Sequence, residues 1–193
     1  MRVPIIPGLT VSDDMFERAE VAITKLNLTP DFLFTWRSFT DPKKWLLIPD
    51  PECFGYKAEL TLHQTEQSTI KVNIWYGPDL RAGETPKPHN HPWDFTAHVL
   101  LGSYNETRYD SSNSGAPLIQ DRVHAEGGQN HVPLHVFHEV TEVEPGKTMS
   151  LMVCGRGTKG QWGYIDPHTG AFELTAPDPT FRDRLLQLNP QHR

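Results

Sequence analysis

The chain has 193 residues, enough for one well-buried domain and short for two. Its 18 Lys and Arg against 24 Asp and Glu leave a formal charge of -6, which argues against the basic stripes that nucleic-acid binding needs. Hydrophobic residues at 37% and charged residues at 22% argue against disorder, while 17 Pro and 14 Gly break the chain into many short elements. No stretch is apolar enough to span a bilayer, and the first residues lack the apolar run of a secretory signal. Cys53 and Cys154 stand far apart in no zinc-like spacing, so a reduced, cytoplasmic protein without disulfide or Cys metal site is expected.

Ser12 followed by Asp13 and Asp14 predicts an N-cap with an acidic first turn, and Phe16, Ala19, Ile23 and Leu26 recur at helical spacing. A helix over 13–27 is expected, stopped by Thr29-Pro30, in a helical N-terminal region 1–50. Residues 31–45 have no clear period, although Asp41-Pro42 can open a helical turn. From Tyr56 the period becomes two: Tyr56, Ala58, Leu60 and Leu62, then Ile70, Val72, Ile74 and Tyr76, predict a β-hairpin. Further strands are predicted at 95–101, 104–109, 131–137, 148–154, 161–165 and 171–175, with a polar loop at 110–115. Eight short strands point to a sandwich or barrel. Asp178 with Pro179 opens a last helix over about 179–188, which Asn189-Pro190 closes.

The chemistry is concentrated in Gly83-Glu-Thr-Pro-Lys-Pro-His89-Asn-His91-Pro-Trp-Asp-Phe95. Two His at i and i+2 on extended backbone point to one face and can converge on one ion. Taken alone, the pair also reads as exposed loop histidines beside Pro-rich turns. No GxSxG, P-loop, GxGxxG or HExxH is present, which removes serine-hydrolase and nucleotide chemistry.

The segment resembles the first cupin motif: Gly83, five residues, His89-x-His91, three residues, Phe95, six residues, Gly102. Gly127, five residues, Pro133, one residue, His135, two residues, His138 has the spacing of the second. Three positions depart: Phe95 stands where the family usually has a metal-binding Glu, His135 replaces a Gly, and Glu142 replaces a final Asn. The resemblance covers roughly 56–165. It implies an all-β double-stranded β-helix, or jelly-roll barrel, over about 56–175 with minor flanking helices, and metal ligands at His89, His91 and His138. A three-His cupin is similar to the thiol dioxygenases related to cysteine dioxygenase, but their Ser-x-His-x-Tyr triad reads Ser150-Leu-Met152-Val-Cys154 here. The metal site carries over and the substrate does not.

Three neutral imidazoles leave a divalent ion its full charge and open positions, suited to a chelating substrate and O2. The resemblance therefore implies a non-haem Fe(II) oxygenase acting on a small molecule, with Ni, Mn, Cu or Zn as alternative ions. A non-redox isomerase, epimerase or lyase and a non-catalytic binding cupin are the other readings; a homodimer is a common cupin arrangement. His135, three residues from His138, reads as exterior or as a base. His98 alternates with the apolar set Phe95, Ala97, Val99 and Leu101. Trp93 and Asp94 read either as packing and turn formers or, for Asp94, as a carboxylate orienting a ligand His. Tyr56, Lys57, Tyr76, Met152 and Cys154 would line the barrel in the family register.

Overall fold

The computed structural model describes residues 1–110, 118–158, 162–176 and 178–193. The predicted loop at 110–115 lies almost wholly outside them. Strands β1 (Arg2–Ile6) and β2 (Leu9–Ser12) form a hairpin that turns at Pro7-Gly8, with Val3 opposite Val11 and Gly8 at φ +88°. This corrects the purely helical N-terminal region: two short apolar alternations flank a Pro-Gly turn, and a hairpin is the local solution. Helix α1 (Asp13–Lys25) then starts as expected, the Ser12 hydroxyl accepting from Met15 N at 3.2 Å. It ends two residues earlier than the periodicity suggests, because Asn27 takes φ 51° and the Leu28 and Asn27 amides fold back onto the Ile23 and Thr24 carbonyls. These are the two hydrogen bonds of a Schellman stop. A short α2 (Trp36–Phe39) and a single turn over Pro42–Lys44, capped by Asp41, lead into β3 (Trp45–Pro49).

The barrel follows: β4 (Gly55–Gln64), β5 (Thr69–Trp75), β6 (Phe95–Leu101), β7 (Ser103–Asp110), β8 (Leu118–Ala125), β9 (Gln129–Val132), β10 (Phe137–Val143) and β11 (Thr148–Cys154). A six-stranded antiparallel sheet runs β3-β4-β5-β11-β6-β9, and a three-stranded sheet runs β10-β7-β8. A last hairpin pairs β12 (Gly163–Ile165) with β13 (Phe172–Leu174), before α3 (Phe181–Leu188). The expected strand 131–137 is two strands in two sheets: Pro133, without an N–H, opens a turn closed by Val136 N on Pro133 O, and the chain crosses from β9 to β10 there. At the chain end, Asp178 accepts from Thr180 and Arg184 instead of capping Pro179, so α3 starts at Phe181. Asn189 is fully buried and acts as a false strand on the free edge of β3, accepting from Leu47 N at 2.7 Å and donating to Leu47 O at 2.8 Å. No helix among the described residues is long and apolar enough to cross a membrane.

The larger sheet is buried on both faces, and the two faces differ in chemistry. Ala58, Leu60 and Leu62 of β4, Val72 and Ile74 of β5, and Met149 and Leu151 of β11 pack outward under α1, the first hairpin and the Phe39–Trp45 pair. Each fully buried Leu or Ile there contributes about 1.5–3 kcal/mol. The alternate residues, Lys57, Glu59, Lys71, Asn73, Ser150 and Met152, face the smaller sheet: cross-strand partners share a face, and Lys57 opposes Trp75, Glu59 opposes Asn73, Asn73 opposes Ser150 and Lys71 opposes Met152. The polar half of the alternation is therefore the barrel interior.

Candidate metal centre

His89 and His91 lie on the irregular segment between β5 and β6. Each neighbours a proline that holds it extended: Pro88 precedes His89, and Pro92 restricts His91 to the β region. His89 is pinned as an isolated strand residue, its N donating to His138 O at 2.9 Å and its O accepting from His138 N at 2.8 Å. On the other side Ile165 N donates to Pro88 O and Asn90 N to Gly163 O. The segment thus joins β12 to β10 and completes the second sheet. Directly opposed residues share a face, so His138 from β10 meets His89, and His91 follows two residues on.

One ring nitrogen of each of His89, His91 and His138 lies within 4.8 Å of the others, and His91 Nε2 is 2.9 Å from His138 Nε2. Metal–nitrogen bonds of about 2.0–2.1 Å place neighbouring ligand nitrogens about 3 Å apart, so the spacing suits one ion. The tautomers follow from the partners. His138 Nδ1 donates to Glu106 Oε1 at 2.7 Å, and His89 Nδ1 donates to the Lys87 carbonyl at 2.9 Å. Carboxylate and carbonyl accept only, which leaves the lone pair of each ring on Nε2. His89 Nε2 is buried without a hydrogen-bond partner, the state of a nitrogen waiting for a ligand. Burial pushes the His89 imidazolium down to about 4 and that of His91 well below its ordinary range, so both are neutral and ligand-ready at pH 7. The residues present therefore fit a divalent ion.

Phe95, at the position of the usual cupin Glu, packs its ring 5.0 Å from His91 and 5.7 Å from His138. It supplies no donor. Two carboxylates that the motif did not indicate take up the local electrostatics. Glu106 of β7 is 1% exposed; it also accepts from His124 Nε2 at 2.7 Å, Arg108 Nε at 2.9 Å and Asn130 Nδ2 at 3.0 Å. Burial alone raises a carboxyl, but His124 and His138 outweigh it and hold Glu106 anionic far below its usual range. Asp79, on the segment after β5, places Oδ2 3.6 Å from His89 Nε2. Burial pushes it up, and His89, Lys57 and Arg81 more than reverse that. Tyr104, Glu106 and Arg108 alternate along β7, so an inward Glu beside an inward Arg was a readable signal. Asp79 lies in no periodic element and left none.

Lys57 and Met152 line a cavity of about 40 Å³ beside the histidines, and Cys154, its thiol pushed up by burial to about 11, packs nearby with Phe95 and Ala97. Tyr56 is buried with Ile48 and Trp75 and does not line the cavity; Tyr76 faces outward, its hydroxyl accepting from Thr10 N at 3.3 Å. Tyr76 follows the parity of the outward apolar face, whereas Tyr56, beside the register shift between Ile48 and Pro49, packs with Trp75, Val99, Tyr104 and Val140. His135 is exposed in the Pro133–Val136 turn, not on a strand. His98 pairs with Leu151 and Gln129 and faces the groove beside α1. Asp94 is exposed against Gly155, so no ligand histidine is oriented by it; Glu106 orients His138 instead.

Two facing antiparallel sheets with a three-histidine cluster between them form a cupin-type barrel. No protein-family model matches the chain, and no curated protein matches it. Among solved structures it is similar to KdgF from Halomonas sp., at 14% identity over 54% of this chain and 82% of that one, with a TM-score of 0.40. It is similar to an RmlC-like cupin from Shewanella frigidimarina at 16% identity, 59% and 86% coverage and a TM-score of 0.40. A third is hydroxypropylphosphonic acid epoxidase from S. wedmorenis, at 14% identity and a TM-score of 0.41, with 59% of this chain covering 56% of that one.

Proposed function

We propose that the protein is a mononuclear metal enzyme in which His89, His91 and His138 hold Fe(II), and that it oxidises a small metal-chelating molecule with O2. The observation that carries this reading is the convergence of three imidazoles with a phenyl ring in place of the usual carboxylate. Bound Fe(II) would supply redox chemistry and Lewis acidity, with its charge undiminished by a protein anion in the ligand set. The chain's own part is to fix the donor atoms, through Glu106 on His138 and the Lys87 carbonyl on His89, and to keep the cavity small, with Phe95, Ala97, Val140 and Met152 among its walls. The interior strand residues Ser150, Met152 and Cys154 provide neither the His nor the Tyr of a thiol dioxygenase, so the substrate class of that group is not carried over.

Asp79 favours a second reading, a non-redox lyase or isomerase. An ionised carboxylate lining the cavity beside His89 can take a proton from a substrate acidified by a bound metal. Nitric oxide, an O2 surrogate, separates the two. Added to the anaerobic Fe(II)-loaded protein, it is expected to give a high-spin iron–nitrosyl signal by electron paramagnetic resonance. Full Fe(II) loading without that signal would leave the non-redox reading in place.

A further inference from the structure

We infer that the metal ion is loaded through a surface pocket on the outer side of His91, and that His135 is the first imidazole to take it there. This rests on the metal-site reading above and adds a transient site to the resident one.

The three resident ligands are not held alike. His89 and His138 are 3% and 4% exposed, and each has its Nδ1 locked, one on the Lys87 carbonyl and the other on Glu106. Their backbones also pair with each other. His91 is only partly buried, and no group among the described residues hydrogen-bonds its Nδ1. Partners on the second nitrogen are what fix the orientation of a ligand ring, so His91 is the ring that can turn.

His91 also borders two spaces. On its inner side it lines the cavity of about 40 Å³ with His138; on its outer side it lines a pocket of about 230 Å³ with Asn90, Leu134 and His135. Its ring is therefore a partition between the site and the surface. The turn that carries His135 is fixed against this partition: Val136 N donates to Pro133 O at 3.1 Å, and Asn90 Nδ2, from the residue between the two ligands, donates to Leu134 O at 3.4 Å. His135 is thus an exposed imidazole held at the mouth of the outer pocket.

A divalent ion must give up most of its water to enter a buried site, and losing the shell without replacement is costly. Exchange of waters for imidazoles one at a time lowers that barrier, and imidazole suits the candidate ions. His135 offers the first nitrogen, and His91 turned outward offers the second. When His91 turns back toward His138, it brings the ion to two nitrogens already fixed in place. Release runs through the same residues in reverse, so a transit site speeds both directions equally and leaves the affinity unchanged.

The test mixes the metal-free full chain with Co(II) in a stopped-flow instrument and reads uptake by visible absorption. Release is timed in excess EDTA, at concentrations where the rate no longer depends on the chelator. His135→Ala is expected to slow uptake and release by the same factor, about tenfold, at an unchanged Kd. His98→Ala removes an imidazole from the groove beside α1 and should alter neither rate. Native rates in His135→Ala, or an equal slowing in His98→Ala, would overturn the loading route. A weakened Kd in His135→Ala would overturn it too, since His135 would then be a resident ligand. Each of these results leaves His89, His91 and His138 as ligands, whereas absence of Co(II) uptake by the native protein would overturn both readings.

Discussion

Glu106→Gln is expected to weaken divalent-metal binding about 10- to 100-fold and to destabilise the fold by about 3–5 kcal/mol. The carboxylate accepts from four donors, His138 and Asn130 on Oε1 and Arg108 and His124 on Oε2. An amide offers one acceptor oxygen and turns an NH2 group toward two donors, so a buried guanidinium or the ligand histidine loses its partner. Arg108 is 8% exposed and also donates to Asn130 and the His131 carbonyl, which hold it in place without neutralising it. His138 without its acceptor is free to adopt the other tautomer, with the proton on the nitrogen that should face the metal. Metal titration and chemical denaturation of the same variant separate the two effects. His124→Ala removes one donor from the other oxygen and should leave metal affinity unchanged; a loss equal to that of Glu106→Gln would mean that Glu106 acts through general stability, not through His138.

His89→Ala and His138→Ala should each abolish stoichiometric metal, whereas His98→Ala should leave the ion bound. Two imidazoles remain in either of the first two variants, on a wall where Phe95 supplies no replacement donor, so no third protein ligand can be recruited from the first motif. His98 faces the α1 groove on the opposite side of β6. Metal analysis after desalting checks all three variants. Equal loss in His98→Ala would place an ion on the wrong face of the sheet and undo the assignment.

The site was legible where two signals coincided. His89-x-His91 sits in a segment that resembles the first cupin motif and His138 in one that resembles the second, and the three rings meet because β10 is antiparallel to the His89 segment and opposed residues share a face. The hairpin 56–76 was legible as strands but not as a wall. A period of two says that the faces differ without saying which face meets solvent. Here Leu60, Val72 and Leu151 are covered by α1, and the alternating Lys57, Asn73 and Ser150 line the barrel, so Tyr76 fell on the wrong side. The first hairpin and β8 were missed for different reasons. The strands of the first hairpin are five and four residues long and give little periodicity, while β8 reads Leu-Ile-Gln-Asp-Arg-Val-His-Ala, with few apolar residues to alternate. Asp79 comes beside His89 only through the chain's return into the barrel, which local sequence does not encode.

Three imidazoles, and no protein carboxylate, are proposed to hold one divalent ion. X-ray absorption on the Fe(II)-loaded protein tests it most directly. The expected result is one ion per chain with multiple-scattering features of three imidazoles at metal–nitrogen distances of about 2.0–2.2 Å, the remaining donors being exchangeable light atoms that a chelator such as acetohydroxamate displaces. A spectrum with fewer than three imidazoles, or with a donor set that acetohydroxamate leaves unchanged, would contradict the account.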